Sequence, residues 1–141
     1  MKSLFDRGKN KWLKERHELF EQDYIMRLVK EMVRAILKLL FDIDTESPTE
    51  ELLEEQEEKE ILDKLLLLVD NGNINQAENE LYELLAEESR TNLKIALLFY
   101  SYLNEKNDTF LEEHNFSREE VEEGLRTVVS QYGLSGIEEM F

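Results

Sequence analysis

The sequence predicts an all-α protein, a bundle of about six helices without a sheet. Glycine and proline are scarce, at five and one among 141 residues, so few tight turns can be built and long helices are favoured. No stretch alternates Val, Ile and Thr with polar residues as a half-buried strand does. Cysteine is absent, which excludes disulfides and thiolate metal sites and fits a reducing, cytoplasmic location.

Charge is unevenly distributed along the chain, whose formal net charge is -16. Residues 1–40 hold ten Lys and Arg and six Asp and Glu, which gives a net charge of +4. Residues 41–141 hold seven Lys and Arg and 27 Asp and Glu, which gives a net charge of -20. A body this acidic repels phosphate backbones, so we expect no nucleic-acid partner. The longest apolar runs, near 36–41 and 65–69, are far shorter than the ~20 residues that a membrane span needs.

Residues 1–19 are predicted to be a basic N-terminal arm, and residues 20–141 a single helical domain. Gly8–Asn10 is expected to interrupt any helix in the arm. Two alternatives are left open: a frayed or disordered segment, or a mis-annotated leader. The second alternative rests on Lys14–Arg16, which purine-rich codons resembling a ribosome-binding site can encode, and on Leu19 as a non-standard start codon.

The clearest helix spans residues 20–41. At 100° per residue its cations form one stripe, and the remaining side, about 220° wide, is apolar. One neighbouring helix does not cover so wide a face, so we expect it to touch two elements, a second chain or a membrane surface. The cations of the stripe, together with three apolar positions, are the candidate interaction residues: Arg27, Lys30, Arg34, Lys38, Leu28, Met32 and Leu39.

Capping signals mark later helices. Ser47–Glu50 matches a capping box with proline at the first helical position, which predicts a helix running to about Val69. Its residues 54–60 are entirely polar, so we expect them to project into solvent or to lie against the cationic stripe. Gly72 is expected to end this helix, because glycine is favoured just past a helix C-terminus. Ser117–Glu120 is a second capping box. Further helices are predicted over 74–88, 91–105 and 117–132, with a short turn near 109–113 and one last turn within 135–141. The segment 91–105 is apolar nearly all round and is the expected central helix.

One resemblance to a known family is carried by Phe20-Glu21-Gln22-Asp23-Tyr24-Ile25-Met26-Arg27 and the apolar run that follows to Phe41. This stretch resembles the opening of an uncharacterised family of small bacterial proteins, whose members typically begin near this phenylalanine. The chain departs from them by the 19 residues that precede the motif. The resemblance implies membership over the remaining chain, and it implies no activity.

A second resemblance is architectural. Residues 62–85, centred on Gly72–Glu78, are similar to one tetratricopeptide helix–turn–helix, in which Ala77 would let the paired helices approach closely. The signature tryptophan and the closing proline are missing, and no second copy follows at a 34-residue period. The bundle is therefore expected to be either orthogonal or tetratricopeptide-like, and an ordinary αα-hairpin explains this segment equally well.

No catalytic, cofactor-binding or metal-ligating residue can be assigned from the sequence. His17 and His114 are the only histidines, and no Glu-x-x-His spacing accompanies them. Neither a glycine-flanked serine elbow nor a phosphate-cradling glycine loop is present. Catalysis by paired carboxylates stays open, because 33 Asp and Glu offer many pairs.

We therefore expect a non-catalytic helical protein-interaction module without a cofactor, self-associating through the helix at 20–41 or binding another protein. The alternative is peripheral attachment to an anionic membrane surface by the same helix, which has a basic polar side. Membrane attachment is less favoured, because a net charge of -16 opposes approach to anionic lipid. An enzyme with an acid pair in a helical pocket is the third hypothesis.

Overall fold

The computed structural model describes the backbone of residues 4–141 and the side chains of residues 20–141. Within these residues the chain forms seven α-helices and one 3-10 turn, with no strand, so the predicted all-α fold is confirmed. The helices are α1 (Leu4–Phe41), α2 (Gln56–Asp70), α3 (Ile74–Leu84), α4 (Arg90–Asn104), α5 (Asp108–Glu113), α6 (Arg118–Gln131) and α7 (Ser135–Glu138), and the 3-10 turn is Glu50–Leu52.

Helix α4 is the centre of the bundle, as its sequence predicts. Helices α1, α2 and α6 all pack against it. Ten of its fifteen residues are buried, and eight of those ten are apolar or aromatic: Leu93, Ile95, Ala96, Leu97, Leu98, Phe99, Tyr100 and Leu103. Ser89 caps its first turn by accepting a hydrogen bond from the backbone N–H of Asn92 at 3.0 Å.

The chain itself covers most of the apolar face of α1. Helices α4, α6 and α7 contact α1, and its buried side chains are Ile25, Leu28, Val29, Met32, Val33, Ile36 and Leu37. Leu28 is 9% exposed and Met32 0%, which corrects their choice as interaction residues, because a partner cannot reach them in this fold. Leu39 is 61% exposed and stays available. The face is wide because it serves several neighbours within one chain.

The start of α2 differs from the prediction. Ser47, the predicted cap, lies in a bend and begins no helix, and Thr49 precedes only the 3-10 turn and makes no side-chain capping bond. Leu53 then adopts an extended conformation and is buried in the core, and α2 begins three residues later, at Gln56. Burial of Leu53 accounts for the break, because the exposed residues 54–57 follow this leucine directly and the chain leaves the helical path to place it inside.

The backbone of α1 is continuous through Gly8–Asn10, which corrects the expected interruption. A glycine in a helix costs only about 1 kcal/mol relative to alanine, which a helix of 38 residues tolerates. The other expectations for residues 1–19, including their role as an arm and the surroundings of His17, concern side chains outside the described residues.

Two local signals are confirmed at helix ends. The hydroxyl of Ser117 accepts a hydrogen bond from the backbone N–H of Glu120, whose carboxylate accepts one from the N–H of Ser117, so the second capping box forms. Gly72 ends α2 with a φ of 86°, a left-handed conformation that favours glycine. Helices α2 and α3 pack together across this turn, as an αα-hairpin requires.

A buried guanidinium joins the elements at one end of the bundle. Arg118, only 4% exposed, donates through Nη1 to the carbonyl of Asn104 at 2.6 Å. Its Nη2 donates to the carbonyl of Lys106 at 2.9 Å and to Oδ1 of Asp108 at 2.5 Å. The side-chain nitrogen of Asn104 donates in turn to the carbonyl of Met26 at 2.9 Å. This network connects α1, α4, α5 and α6.

Replacement of Arg118 tests the importance of this network. We expect Arg118→Ala to lower the free energy of unfolding by about 2–4 kcal/mol, because it leaves buried carbonyls without donors. Arg126→Ala is the control on the same helix. Arg126 pairs with Glu122 and Glu138 nearer the surface, so its loss should cost less than about 1 kcal/mol. Urea titration compares the two variants, and equal losses would contradict the assignment.

Close approach of α4 and α6 depends on Gly124. A Cβ at this position would lie 2.5 Å from Oη of Tyr100 and 2.7 Å from Oε2 of Glu78. Gly124→Ala should therefore destabilise the fold by about 1–3 kcal/mol through overpacking. Gly136→Ala is the matched control, since nothing lies within 4 Å of its added Cβ. Thermal unfolding measures both variants, and an unchanged Tm for Gly124→Ala would refute the expectation.

Candidate functional site

A groove of about 470 Å³ lies between α1, α2, α4 and the linker of residues 42–55 that joins α1 to α2. Three leucines line its floor: Leu62 and Leu66 from α2, and Leu98 from α4. Leu62 and Leu98 are also part of the core. The remaining lining residues are Lys30, Glu46, Ser47, Pro48, Thr49, Glu50, Ser101, Tyr102, Asn104 and Glu105.

The rim of this groove is mainly acidic. Exposed carboxylates of Glu46 and Glu50 on the linker and of Glu105 after α4 line it, and Lys30 is the only cation among the described lining residues. A hydrogen bond with the neighbouring Asp63 carboxyl raises the pKa of Glu50 above its ordinary value. The two carboxylates repel each other when both are ionised, and the nearby Lys59 offsets this repulsion only in part, so the rim at Glu50 favours a further cation.

The linker wall is held in place from α1 and α4. Arg34 pairs with Asp44 at 3.2 Å and with Glu46 at 3.3 Å. Nζ of Lys94 donates to the carbonyl of Leu52 at 3.2 Å, which fixes the 3-10 turn. The two Arg34 pairs join exposed groups and are individually weak, whereas the Lys94 bond is partly buried, so the wall depends on all of them together.

The α4 wall is fixed more firmly. The hydroxyl of Tyr102 and Nζ of Lys106 both donate to Oδ1 of Asp70 at 2.6 Å, which ties the end of α4 to the end of α2. These two donors lower the pKa of Asp70, although its partial burial acts in the opposite direction. Asn104 lies deepest, and its Oδ1 has no hydrogen-bond partner among the described residues.

The cationic stripe predicted from the sequence is on the surface of α1. The side chains of Arg27, Lys30, Arg34 and Lys38 are all exposed. Arg34 is engaged by linker acids and not by residues 54–60, which were one expected counterpart. Lys30 alone reaches the groove. Of the seven candidate residues, Lys30 lines the groove and Arg34 holds the linker. Leu28 and Met32 are buried in the core, and the exposed residues outside the groove are Arg27, Lys38 and Leu39.

A second cleft, of about 280 Å³, surrounds Glu78. Oη of Tyr100 donates to its Oε2 at 2.8 Å, and Tyr82 lies 3.4 Å from that hydroxyl. Partial burial raises the pKa of Glu78, the two tyrosines oppose this effect, and Glu120 and Glu123 add to it. Burial likewise raises the pKa of Tyr100.

If the chain were an enzyme with an acid pair, the carboxylates of this second cleft would be the candidates. A carboxylic acid with a raised pKa can serve as a general acid when a base or nucleophile faces it across a substrate. Glu78 instead is bound by a buried tyrosine of the same chain, which accounts for its burial without a substrate. No group of three or more His, Asp or Glu within the described part of the chain is arranged to hold a metal ion.

Sequence reasoning missed the groove, because its residues come from four separate segments. One signal was available in the leucine-rich run 65–68, which is too dense for one helix to bury. Leu65 is in the core, whereas Leu67 is 60% exposed and Leu66 lies between them at the groove. No sequence pattern in the linker of residues 42–55 indicated that it would form one side of the groove.

A comparison with known protein families matches residues 19–133 to a family of unknown function, DUF6483. The chain belongs to this family. The match covers α2 to α6 and the part of α1 that contains the Phe20–Arg27 motif, and it includes every residue of the groove. No curated protein and no solved structure is significantly similar to this DUF6483 chain. Among the described residues, no helix is both long and apolar enough to cross a membrane.

The environment of Glu78 predicts a pH-dependent stability. Because its folded pKa lies above the ordinary 4.5, ionisation disfavours the folded state, and this loss grows as pH rises through 4.5 towards 7. Glu78→Gln keeps an acceptor for Tyr100 and removes the charge. The variant should therefore gain stability relative to wild type between pH 4 and 7. Urea titrations across this range measure the difference in free energy of unfolding between variant and wild type, with exposed Glu57→Gln as control. A difference that does not change with pH would contradict the prediction.

Proposed function

We propose that this chain is a non-catalytic protein-interaction module that holds one helix of a partner protein in the groove between α1, α2, α4 and the linker. The observation that carries the proposal is the groove, which is lined by the partly buried Leu66 together with the core residues Leu62 and Leu98. Grooves of this kind accept the apolar row of an amphipathic helix, whose side chains recur at i, i+3, i+4 and i+7. The partner helix would thus extend the bundle by one element.

The form of the groove favours a protein segment over a small molecule. Small-molecule sites bury about 70–90% of the ligand surface. Here the linker side is formed by exposed residues, including Ser47, Thr49 and Glu50, so an occupant would stay in contact with solvent along one side. A helix accepts this arrangement, because its own polar face requires water.

The other two modes of interaction have less support. Self-association and membrane attachment were both expected from the apolar face of α1, and the chain's own helices cover most of that face. An interfacial helix needs an apolar side to insert between lipid headgroups. Among residues 20–41 of α1 the exposed large apolar side chains are Phe20, Tyr24 and Leu39. Phe20 and Tyr24 lie four residues apart on one face, and Leu39 is fifteen residues beyond Tyr24, so this part of the helix exposes one apolar pair and one separate leucine.

Filling the groove tests the proposal. The probe is a fluorescein-labelled 18-residue helix with leucine at i, i+3, i+4 and i+7 positions and polar residues elsewhere. We expect saturable binding by fluorescence anisotropy, and Ser101→Trp should weaken it at least about tenfold because the indole occupies the floor. Exposed Ser135→Trp is the matched control, and it should bind as wild type does.

Methyl NMR locates the contact. Leu62, Leu66 and Leu98 should shift when the probe is added, whereas Val121 and Val129 on α6 should not. Saturable binding that moves the α6 methyls and leaves the three leucines unchanged would place the interaction elsewhere. Absence of binding by every helix tested would refute the proposed function.

A further inference from the structure

The polar face of the partner helix is the next property that the groove determines. We infer that the groove selects a basic amphipathic helix, with lysine or arginine beside its apolar row. This inference rests on the proposed function and adds the charge of the partner to it. The inference depends on three features: the position of the rim carboxylates, the absence of ion pairs to two of them, and the net charge of residues 41–141.

The rim carboxylates border the leucine floor directly. Glu50 on the linker and Glu105 at the end of α4 line the same groove as Leu66 and Leu98. A helix that places leucines on this floor presents its flanking positions to these carboxylates, because residues three and four apart share one face. Opposite charge at those positions gives orientation and a faster association rate.

These carboxylates are available for a partner. Among the described residues neither Glu50 nor Glu105 forms an ion pair with a cation, whereas Glu46 is engaged by Arg34. Asp63 raises the pKa of Glu50 and Lys59 only partly offsets this effect, so a partner cation at this position would relieve the remaining repulsion between like charges. A partner carboxylate at the same place would add to that repulsion.

The surrounding body acts in the same direction. Residues 41–141 carry a net charge of -20, which attracts a cationic segment over roughly 10 Å at 0.1 M salt. Simple cations are a poorer match, because they would leave the partly buried Leu66 uncovered. Only an occupant that combines apolar and cationic groups satisfies the floor and the rim together.

Lys30 is the exception on the rim, and it provides a test. It is exposed, it lines the groove from α1, and it opposes a cationic partner. Lys30→Glu should therefore strengthen binding of a basic helix, an outcome that misfolding cannot produce. Lys38→Glu, on the same helix and outside the groove, is the matched control for the change in net charge.

The experiment uses three labelled helices with one apolar row and with lysine, glutamine or glutamate on the polar face. We expect the lysine helix to bind at least about tenfold more tightly than the glutamate helix at 0.1 M salt, with a difference that shrinks at 1 M salt. Equal binding of all three would overturn this inference and leave the proposed function standing. Failure of all three to bind would refute the proposed function itself.

Charge reversal locates the effect. The double variant Glu50→Lys, Glu105→Lys should weaken the lysine helix about five- to tenfold and strengthen the glutamate helix. The control Glu54→Lys, Glu57→Lys changes the net charge equally at exposed positions outside the groove. If both double variants weaken the lysine helix equally, general attraction by an acidic body explains the binding and the rim does not select.

Discussion

The enclosure of α4 is the constraint on which the bundle depends. A helix that is apolar nearly all round has no side that water can cover, so other elements must surround it. Helices α1, α2 and α6 do so, and the buried Arg118 network fixes the end of α4 to its neighbours. The groove adjoins this arrangement, since Leu98 and Ser101 belong to α4 and the linker covers that side of the helix only in part.

Elements with local causes could be predicted from the sequence. The apolar character of residues 91–105 predicts a central helix, and α4 is confirmed there. The Ser117 capping box and the glycine turn at Gly72 are likewise confirmed, because each depends on residues a few positions apart. The first capping box failed for a tertiary reason, since the burial of Leu53 outweighed a signal carried by Ser47–Glu50.

The candidate site could not be predicted in the same way. Periodicity reveals that α1 has a wide apolar face, but the number of neighbours that cover the face depends on the whole fold. Leu28 and Met32 therefore looked available and are buried, whereas Lys30 does reach the groove. The floor needs α2 and α4 side by side, and Leu62 and Leu98 are 36 residues apart, a pairing that no local pattern specifies.

The two sides of the groove differ in mechanical character. One side is helical backbone, anchored through Tyr102 and Lys106 to Asp70. The other is a connecting segment whose regular structure amounts to a single 3-10 turn, held by the buried Leu53, by the hydrogen bond from Lys94 and by exposed ion pairs of Arg34. Segments of this kind open at a lower free-energy cost than helices do. Substitutions in the connecting segment can therefore adjust the width of the opening while the helical scaffold keeps its stability.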